Sequence, residues 1–207
     1  MKTTRPPEPA RAVTHLRRAL LLLALACTAA PAWAAFDLAA LMAQLAQRKG
    51  GEARFTEERT VTTLDATLRA SGRLTFQAPD RFARYTEEPR AESMEVQGNN
   101  VVLKRGTRTR QMVLDAIPEL AALADAMRGT LNGDAAALQR HFRAEVTGVP
   151  ARWVLTLTPT DSRLARSVEQ LQIAGLGGDV RSIDLRLAGG DRSLMLVEPL
   201  TAPTAGR

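Results

Sequence analysis

Cysteine occurs once in the 207 residues, at Cys27, and histidine twice, at His15 and His141. Cys27 and His15 fall in an N-terminal stretch that reads as a leader, so the remaining chain keeps His141 alone. A zinc or copper site there would need carboxylates only. A Ser-His-Asp relay would have to use His141, and no G-x-S-x-G elbow presents a serine. Beside Arg140 at a helix end, His141 reads as a surface or cap residue. Aromatics are scarce at 4%, and charges interrupt every later apolar run. No segment reaches the roughly 20 apolar residues that span a bilayer.

The leader has three parts. Arg11, Arg17 and Arg18 are its positive region, Ala19–Ala26 its short apolar core, and Ala32-Trp33-Ala34 its small-x-small cleavage pattern. Cleavage after Ala34 places the mature chain in the periplasm. Cys27 leaves with the leader, and no disulfide remains; lipid anchoring at Cys27 is the alternative, with Ala24 a poor lipobox residue. The leader carries Lys2, Arg5, Arg11, Arg17 and Arg18 against Glu8, so removing it lowers the formal charge from +6 to +2. That balance gives no footprint for nucleic acid.

After the leader, Asp37 caps a helix with Leu38, Leu41, Met42 and Leu45 on one face, and Gly50-Gly51 stops it. The period then changes to 2. Ala53 and Phe55 alternate with Glu52, Arg54 and Thr56, and Leu68, Ala70, Gly72, Leu74 and Phe76 alternate with polar residues. Short strands follow at Arg81–Thr86, Ser93–Gln97, Val101–Arg105 and Thr109–Leu114, divided by Pro79-Asp80, Pro89, Gly98-Asn99-Asn100 and Gly106-Thr107. Pro118 to Met127 returns to a helical period, Asn132-Gly133-Asp134 breaks it, and Ala135–Arg140 is a second helical piece. Strands resume at Phe142–Thr147, Trp153–Thr158, Ser167–Ala174, Val180–Ala188 and Arg192–Glu198. Residues 35–198 thus form one mainly β (α+β) domain of about 11 antiparallel strands, a sandwich or barrel, and 199–207 a loose tail.

Several charged or glycine-rich groups invite a functional reading. Glu57-Glu58 and Glu87-Glu88 are adjacent acids, and adjacent strand residues point to opposite faces, so neither pair converges. Glu57 and Arg59 fall on the face begun by Ala53 and Phe55. Either the apolar face ends there or a bulge reverses it, and a partnership of Glu57 with another strand stays open. Gly175-Leu176-Gly177-Gly178 precedes a strand and reads as a hairpin rather than a phosphate loop. Lys104, Arg105, Arg108 and Arg110 cluster on one hairpin, as a solvated edge or as a docking patch for an acidic partner or anionic headgroups. The two helical segments are too few to cover the sheet's apolar face. Either the sheet folds on itself or it encloses space; small residues such as Ala53, Ala70 and Gly72 opposite Leu, Met and Val favour space.

The order of these pieces resembles the LolA family of periplasmic lipoprotein carriers, in particular its divergent LolA-related branch. The matching stretches are Phe36-Asp37-Leu38-Ala39-Ala40-Leu41-Met42, Gly51-Glu52-Ala53-Arg54-Phe55-Thr56-Glu57, Ser71-Gly72-Arg73-Leu74-Thr75-Phe76, Ala78-Pro79-Asp80-Arg81, and Trp153-Val154-Leu155-Thr156-Leu157-Thr158-Pro159. The resemblance implies an incomplete β-barrel with helices as a lid over a hydrophobic cavity. It implies no cofactor and no catalysis. It implies a monomer that takes lipidated cargo from an inner-membrane exporter to an outer-membrane acceptor. Where the family carries a lid-latching arginine before the strand-end proline, this chain has Ala78, and that role is not transferred.

On this reading the cavity is lined by Phe55, Leu68, Leu74, Phe76, Met94, Val96, Leu103, Met112, Leu114, Trp153 and Leu155. The lid carries Leu38, Leu41, Met42, Leu45, Leu120, Leu123 and Met127. Plain core packing is the rival role for each. Two other functions compete with carriage: a partner-binding periplasmic regulator whose cavity is filled by side chains, and a lipid hydrolase dependent on His141.

Overall fold

The computed structural model describes residues 36–200. Residues 1–35, on which the expected leader, its cleavage after Ala34 and Cys27 fall, and residues 201–207 lie outside the described residues.

Helix α1 (Leu38–Leu45) starts where Asp37 accepts a hydrogen bond from the Ala40 amide at 2.9 Å, satisfying one of the otherwise unpaired first-turn donors. Its spacing puts Leu41, Met42 and Leu45 on one buried face. The helix ends at Leu45, and Gly50 already belongs to the first strand. β1 (Gly50–Val61) and β2 (Ala66–Gln77) form a long hairpin closed by a short 3₁₀ turn (Thr62–Leu64) and Asp65. Both strands extend beyond the alternating segments legible in sequence. β3 (Arg81–Glu88), β4 (Glu92–Gln97), β5 (Asn100–Arg105) and β6 (Arg108–Val113) continue the meander.

α2 (Pro118–Asn132) follows, with Pro118 in its first turn, then α3 (Ala135–Gln139), capped by Asp134. β7 (Phe142–Val149), β8 (Arg152–Pro159), α4 (Ser162–Ala165), β9 (Val168–Leu176), β10 (Asp179–Leu187) and β11 (Arg192–Leu200) complete the described chain. Helix α4 has no counterpart in the sequence reading. β11 also runs past residue 198: Pro199 pairs with Ala53 and Leu200 with Glu52, correcting the tail assignment at these two positions.

All eleven strands join one antiparallel sheet in the order β6-β5-β4-β3-β2-β1-β11-β10-β9-β8-β7. β6 and β7 are its two edges, so the barrel is incomplete, as the resemblance implies. The last strand returns to pair with the first, placing Phe55 opposite both Gly72 and Val197. No helix among the described residues is long and apolar enough to cross a membrane.

The helices pack on one face of the sheet and build two separate apolar clusters. The larger joins α1, α2 and α3 to β7, β8 and β9 through Leu41, Leu138, Phe142, Trp153, Leu155 and Ile173. The smaller joins α2 to β4 and β5 through Ala124, Val96, Val101 and Leu114. Each large side chain so buried contributes roughly 1.5–3 kcal/mol. α2 serves both clusters because its buried positions are small: Ala122, Ala124, Ala126, Gly129 and Thr130. The opposite face carries cross-strand ion pairs, including Arg69–Glu58 at 3.0 Å and Arg73–Glu87 at 3.2 Å. Such exposed pairs are each worth only about 0–1 kcal/mol.

Candidate functional site

The two clusters stand on either flank of the sheet, leaving β11, β1, β2 and β3 between them without a helix packed tightly on top. A cavity of about 350 Å³ lies there, within the span of roughly 300–1,000 Å³ common for small-molecule sites. Its floor includes Ala53, Leu74, Phe76, Ile183, Met195 and Val197, and its roof Leu45, Leu123, Met127 and Leu131. The seam residues Leu74, Phe76, Ile183, Leu185, Met195 and Val197 are only half-buried, whereas Trp153, Leu155, Leu157 and Ile173 on the covered flank are fully buried.

Leu74, Phe76 and Met94 face this hollow, with Leu45, Leu123 and Met127 above them. Phe55 is buried beneath the Arg84 guanidinium and does not itself line the hollow. Val96 and Leu114 belong to the smaller cluster, where Leu103, Met112 and Leu120 pack against them. Trp153, Leu155, Leu41 and Met42 are core residues of the larger cluster, and Leu38 packs on it. Leu68 is 50% exposed near the tip of the β1–β2 hairpin. Ile183, Leu185, Met195 and Val197 were not assigned to the cavity from sequence. The alternation Ile183-Leu185-Leu187 marks one face of β10, but Leu194-Met195-Leu196-Val197 is an unbroken apolar run, and only the pairing with β1 settles which residues turn inward.

The concave face also holds a charged group. β1 keeps its register through Glu57 without a bulge, so Glu57 stays on the apolar face. Arg84 of β3 donates to the Glu57 carboxylate at 2.5 Å through Nη2 and to the Thr86 hydroxyl at 3.2 Å through Nε. The Ser193 hydroxyl of β11 donates to the other Glu57 oxygen at 2.5 Å. The guanidinium lies 4.6 Å from the Phe55 ring centroid, a cation–π arrangement. Three strands thus supply one compact, charge-balanced cluster. At the other end of the cavity, Arg48 pairs with Asp179, and Arg48 is 41% exposed there.

The helical roof is tied to strand turns by side chains. Asn132 Nδ2 donates to the Pro79 carbonyl at 2.5 Å, and Arg128 Nη2 donates to the Gly98 carbonyl. Gln44 of α1 donates to the carbonyls of Gly177 and, at 3.2 Å, Pro150. Next to Pro79, Ala78 offers no side-chain donor; the tie at this corner comes from the helix.

The remaining ionisable groups lie in other settings. His141 Nε2 is 3.4 Å from Asp125, which also pairs with Arg128 and Arg140 at 3.2 Å each. Asp184 is buried and receives two hydrogen bonds from Arg192, at 2.8 and 2.6 Å. These bonds, and then the attraction of the carboxylate, hold the Arg192 guanidinium above its ordinary pKa. On the basic hairpin, Lys104 pairs with Glu95 and Arg105 with Glu92, while Arg108 and Arg110 have no ion pair among the described residues. No cluster of His, Cys, Asp and Glu suited to a metal occurs among the described residues.

An open antiparallel sheet of eleven strands with helices over an apolar hollow is the architecture in hand, and it agrees with the incomplete barrel that the LolA resemblance implies. The model of the family "Outer membrane lipoprotein carrier protein LolA-like" matches residues 29–205, and the chain belongs to that family. Among solved structures it is similar to a LolA superfamily protein from Nitrosomonas europaea, at 9% identity over 81% of this chain and 95% of that one, with a TM-score of 0.42. It is also similar to a putative outer membrane lipoprotein-sorting protein domain from Vibrio parahaemolyticus, at 10% identity over 82% and 92%, TM-score 0.42. A third similarity is to the Pseudomonas aeruginosa MucA/MucB complex, at 15% identity over 81% and 59%, TM-score 0.35. No curated protein matches the chain by sequence.

Proposed function

We propose that this protein is a periplasmic carrier that shelters the lipid part of a lipoprotein, or of another lipidated molecule, in the cavity between its two apolar clusters, and moves it from the inner to the outer membrane. The observation that carries this reading is the half-buried apolar seam, Leu74, Phe76, Met195 and Val197, under a helical roof.

The energetics favour such a device. Each methylene removed from water is worth about 0.8 kcal/mol, so a long tail loose in the periplasm is disfavoured by on the order of ten kcal/mol. A carrier must offset most of that and still release its cargo at an outer-membrane acceptor. An apolar hollow with partly covered walls binds by area rather than by close complementarity, which suits both uptake from an exporter and release. A partner-binding regulator would instead have a hollow filled by its own side chains.

Native mass spectrometry of protein purified gently from the periplasm tests the reading. A co-purifying lipid or acylated polypeptide is the expected result. A clean apo mass, together with no uptake of lipid from vesicles, overturns it.

A further inference from the structure

Arg84 occupies an unusual place. Its cross-strand neighbours are Leu74 on β2 and Met94 on β4, so a cation interrupts a row of apolar residues facing the cavity. An unpaired charge on an apolar wall is unfavourable, and the fold supplies Glu57 as its counter-charge. We propose that the Arg84–Glu57 pair is a polar subsite that selects cargo chains joined through an uncharged acceptor, an ester or amide carbonyl, over chains ending in a free carboxylate. This rests on the carrier reading and deepens it.

Three observations support the assignment. First, the guanidinium has donors to spare. Nη2 is taken by Glu57 and Nε by Thr86, while Nη1 makes no hydrogen bond among the described residues. The Arg84 side chain is 26% exposed, so Nη1 is reachable. Second, the group is held in place. It has Phe55 against one face at 4.6 Å and a carboxylate itself fixed by Ser193. Third, the pair is neutral as a unit. A carbonyl oxygen gains a charge-assisted hydrogen bond from Nη1 without adding charge. An ionised carboxylate would add a second anion beside Glu57 in an apolar, poorly solvated space.

The cavity's long direction fits this placement. Its floor runs along β1 from Gly51 to Glu57, about 20 Å of strand. A carbonyl at Arg84 leaves the apolar stretch of Ala53, Phe76 and Val197 for the chain, and the Arg48–Asp179 pair stands at the far end.

The test compares lauric acid with methyl laurate as competitors for a naphthylamine dye bound to the mature protein, in mildly alkaline buffer. Wild type should bind the ester about tenfold more tightly than the acid, the scale of one charge-assisted hydrogen bond. Glu57→Gln leaves Arg84 uncompensated and should abolish or reverse that preference. Arg84→Met should weaken ester binding by about tenfold. A merely structural pair would change stability or overall affinity but leave the ester-to-acid ratio alone. Binding of dye and both guests, with the same ratio in wild type and Glu57→Gln, overturns the subsite and leaves the carrier reading standing. Failure of wild type to bind dye or either guest overturns both. Should Glu57→Gln not fold, infrared spectroscopy of carbonyl-labelled methyl laurate on wild type decides. A carbonyl band lowered from its position in hydrocarbon solvent supports the subsite, and an unshifted band overturns it.

Discussion

Trp153 lies against Gly175, its partner across β8 and β9, so closely that a Cβ on Gly175 would come within 2.2 Å of the indole Cζ2. The indole N–H donates to the Gly177 carbonyl at 2.8 Å. The largest side chain of the core therefore seats on a bare backbone, and the hairpin that reads as glycine-rich in sequence owes one of its glycines to a neighbour on another strand. Gly175→Ala should destabilise the fold by about 1–3 kcal/mol through overpacking. Urea unfolding followed by Trp153 fluorescence measures it; an unchanged midpoint would mean the indole moves freely.

Gly133 joins the two roof helices. Its φ is +70°, and a Cβ there would meet the Met42 carbonyl at 2.1 Å. Gly133→Ala combines left-handed backbone strain with a clash and should cost at least about 1 kcal/mol. The loss should appear first as faster amide exchange in α1 and the end of α2, before any change in β7–β9.

The roof tie from Asn132 to Pro79 is exposed, so its removal should affect motion more than stability. Asn132→Ala should lower global stability by no more than about 1 kcal/mol. It should increase exchange along α2 and speed release of a bound dye in stopped-flow displacement. Equal off-rates in variant and wild type would show that the tie does not restrain the roof.

Filling the hollow should stop carriage without unfolding the sheet. Ala53 opens into the cavity opposite Leu74 and Pro199. Ala53→Trp replaces empty space with apolar surface, a change that is neutral or favourable where there is room. Thermal unfolding should be unchanged or raised, and dye or lipid uptake should fall at least about tenfold. Retained uptake would place the binding surface elsewhere.

Asp184 sits beside two arginines that face each other across β10 and β11, Arg186 and Arg192. Asp184→Asn removes the carboxylate and should cost about 1.5–3 kcal/mol, the range for hydrogen bonds to charged groups. The Arg192 guanidinium has its pKa raised, first by hydrogen bonding to Asp184 and then by its charge. Stability from a raised cation is present below its unfolded pKa and lost only as pH climbs through the folded one. For arginine that window lies beyond the ordinary alkaline range, so Arg192 itself should give no pH dependence to unfolding at neutral pH. A slope that vanishes in Arg192→Met would contradict this.

Much of this architecture is legible along the chain. The alternation at Leu68–Phe76, the caps at Asp37 and Asp134, Pro118 and the break at Gly133 are local signals, and local backbone chemistry answers them directly. On β1 the alternation puts Glu57 in step with Ala53 and Phe55 but leaves open a bulge that would turn it outward; the unbroken pairing with β2 and β11 is what keeps all three on one face. What period 2 cannot convey is which strand lies alongside. Leu68 carries the right parity but lies near the hairpin tip, where no helix covers it. Trp153 and Leu155 carry it too, yet they fall where α1 and α3 pack down and close the space. The unbroken run Leu194–Val197 has no parity at all.

Residue spacing, caps and turn chemistry by themselves determined an antiparallel β domain with two helical segments and one apolar face, because each depends on neighbours a few positions away. Only the tertiary structure decided where that face stays open. The return of β11 onto β1 joins residues about as far apart as the described chain permits, and it sets the half-buried seam of Leu74, Phe76, Met195 and Val197 between the two apolar clusters. The same closure brings Glu57, Arg84 and Ser193 from three strands into one neutral cluster. Charge neutralisation between distant segments is a property of distance in space, and no pattern along the chain encodes it.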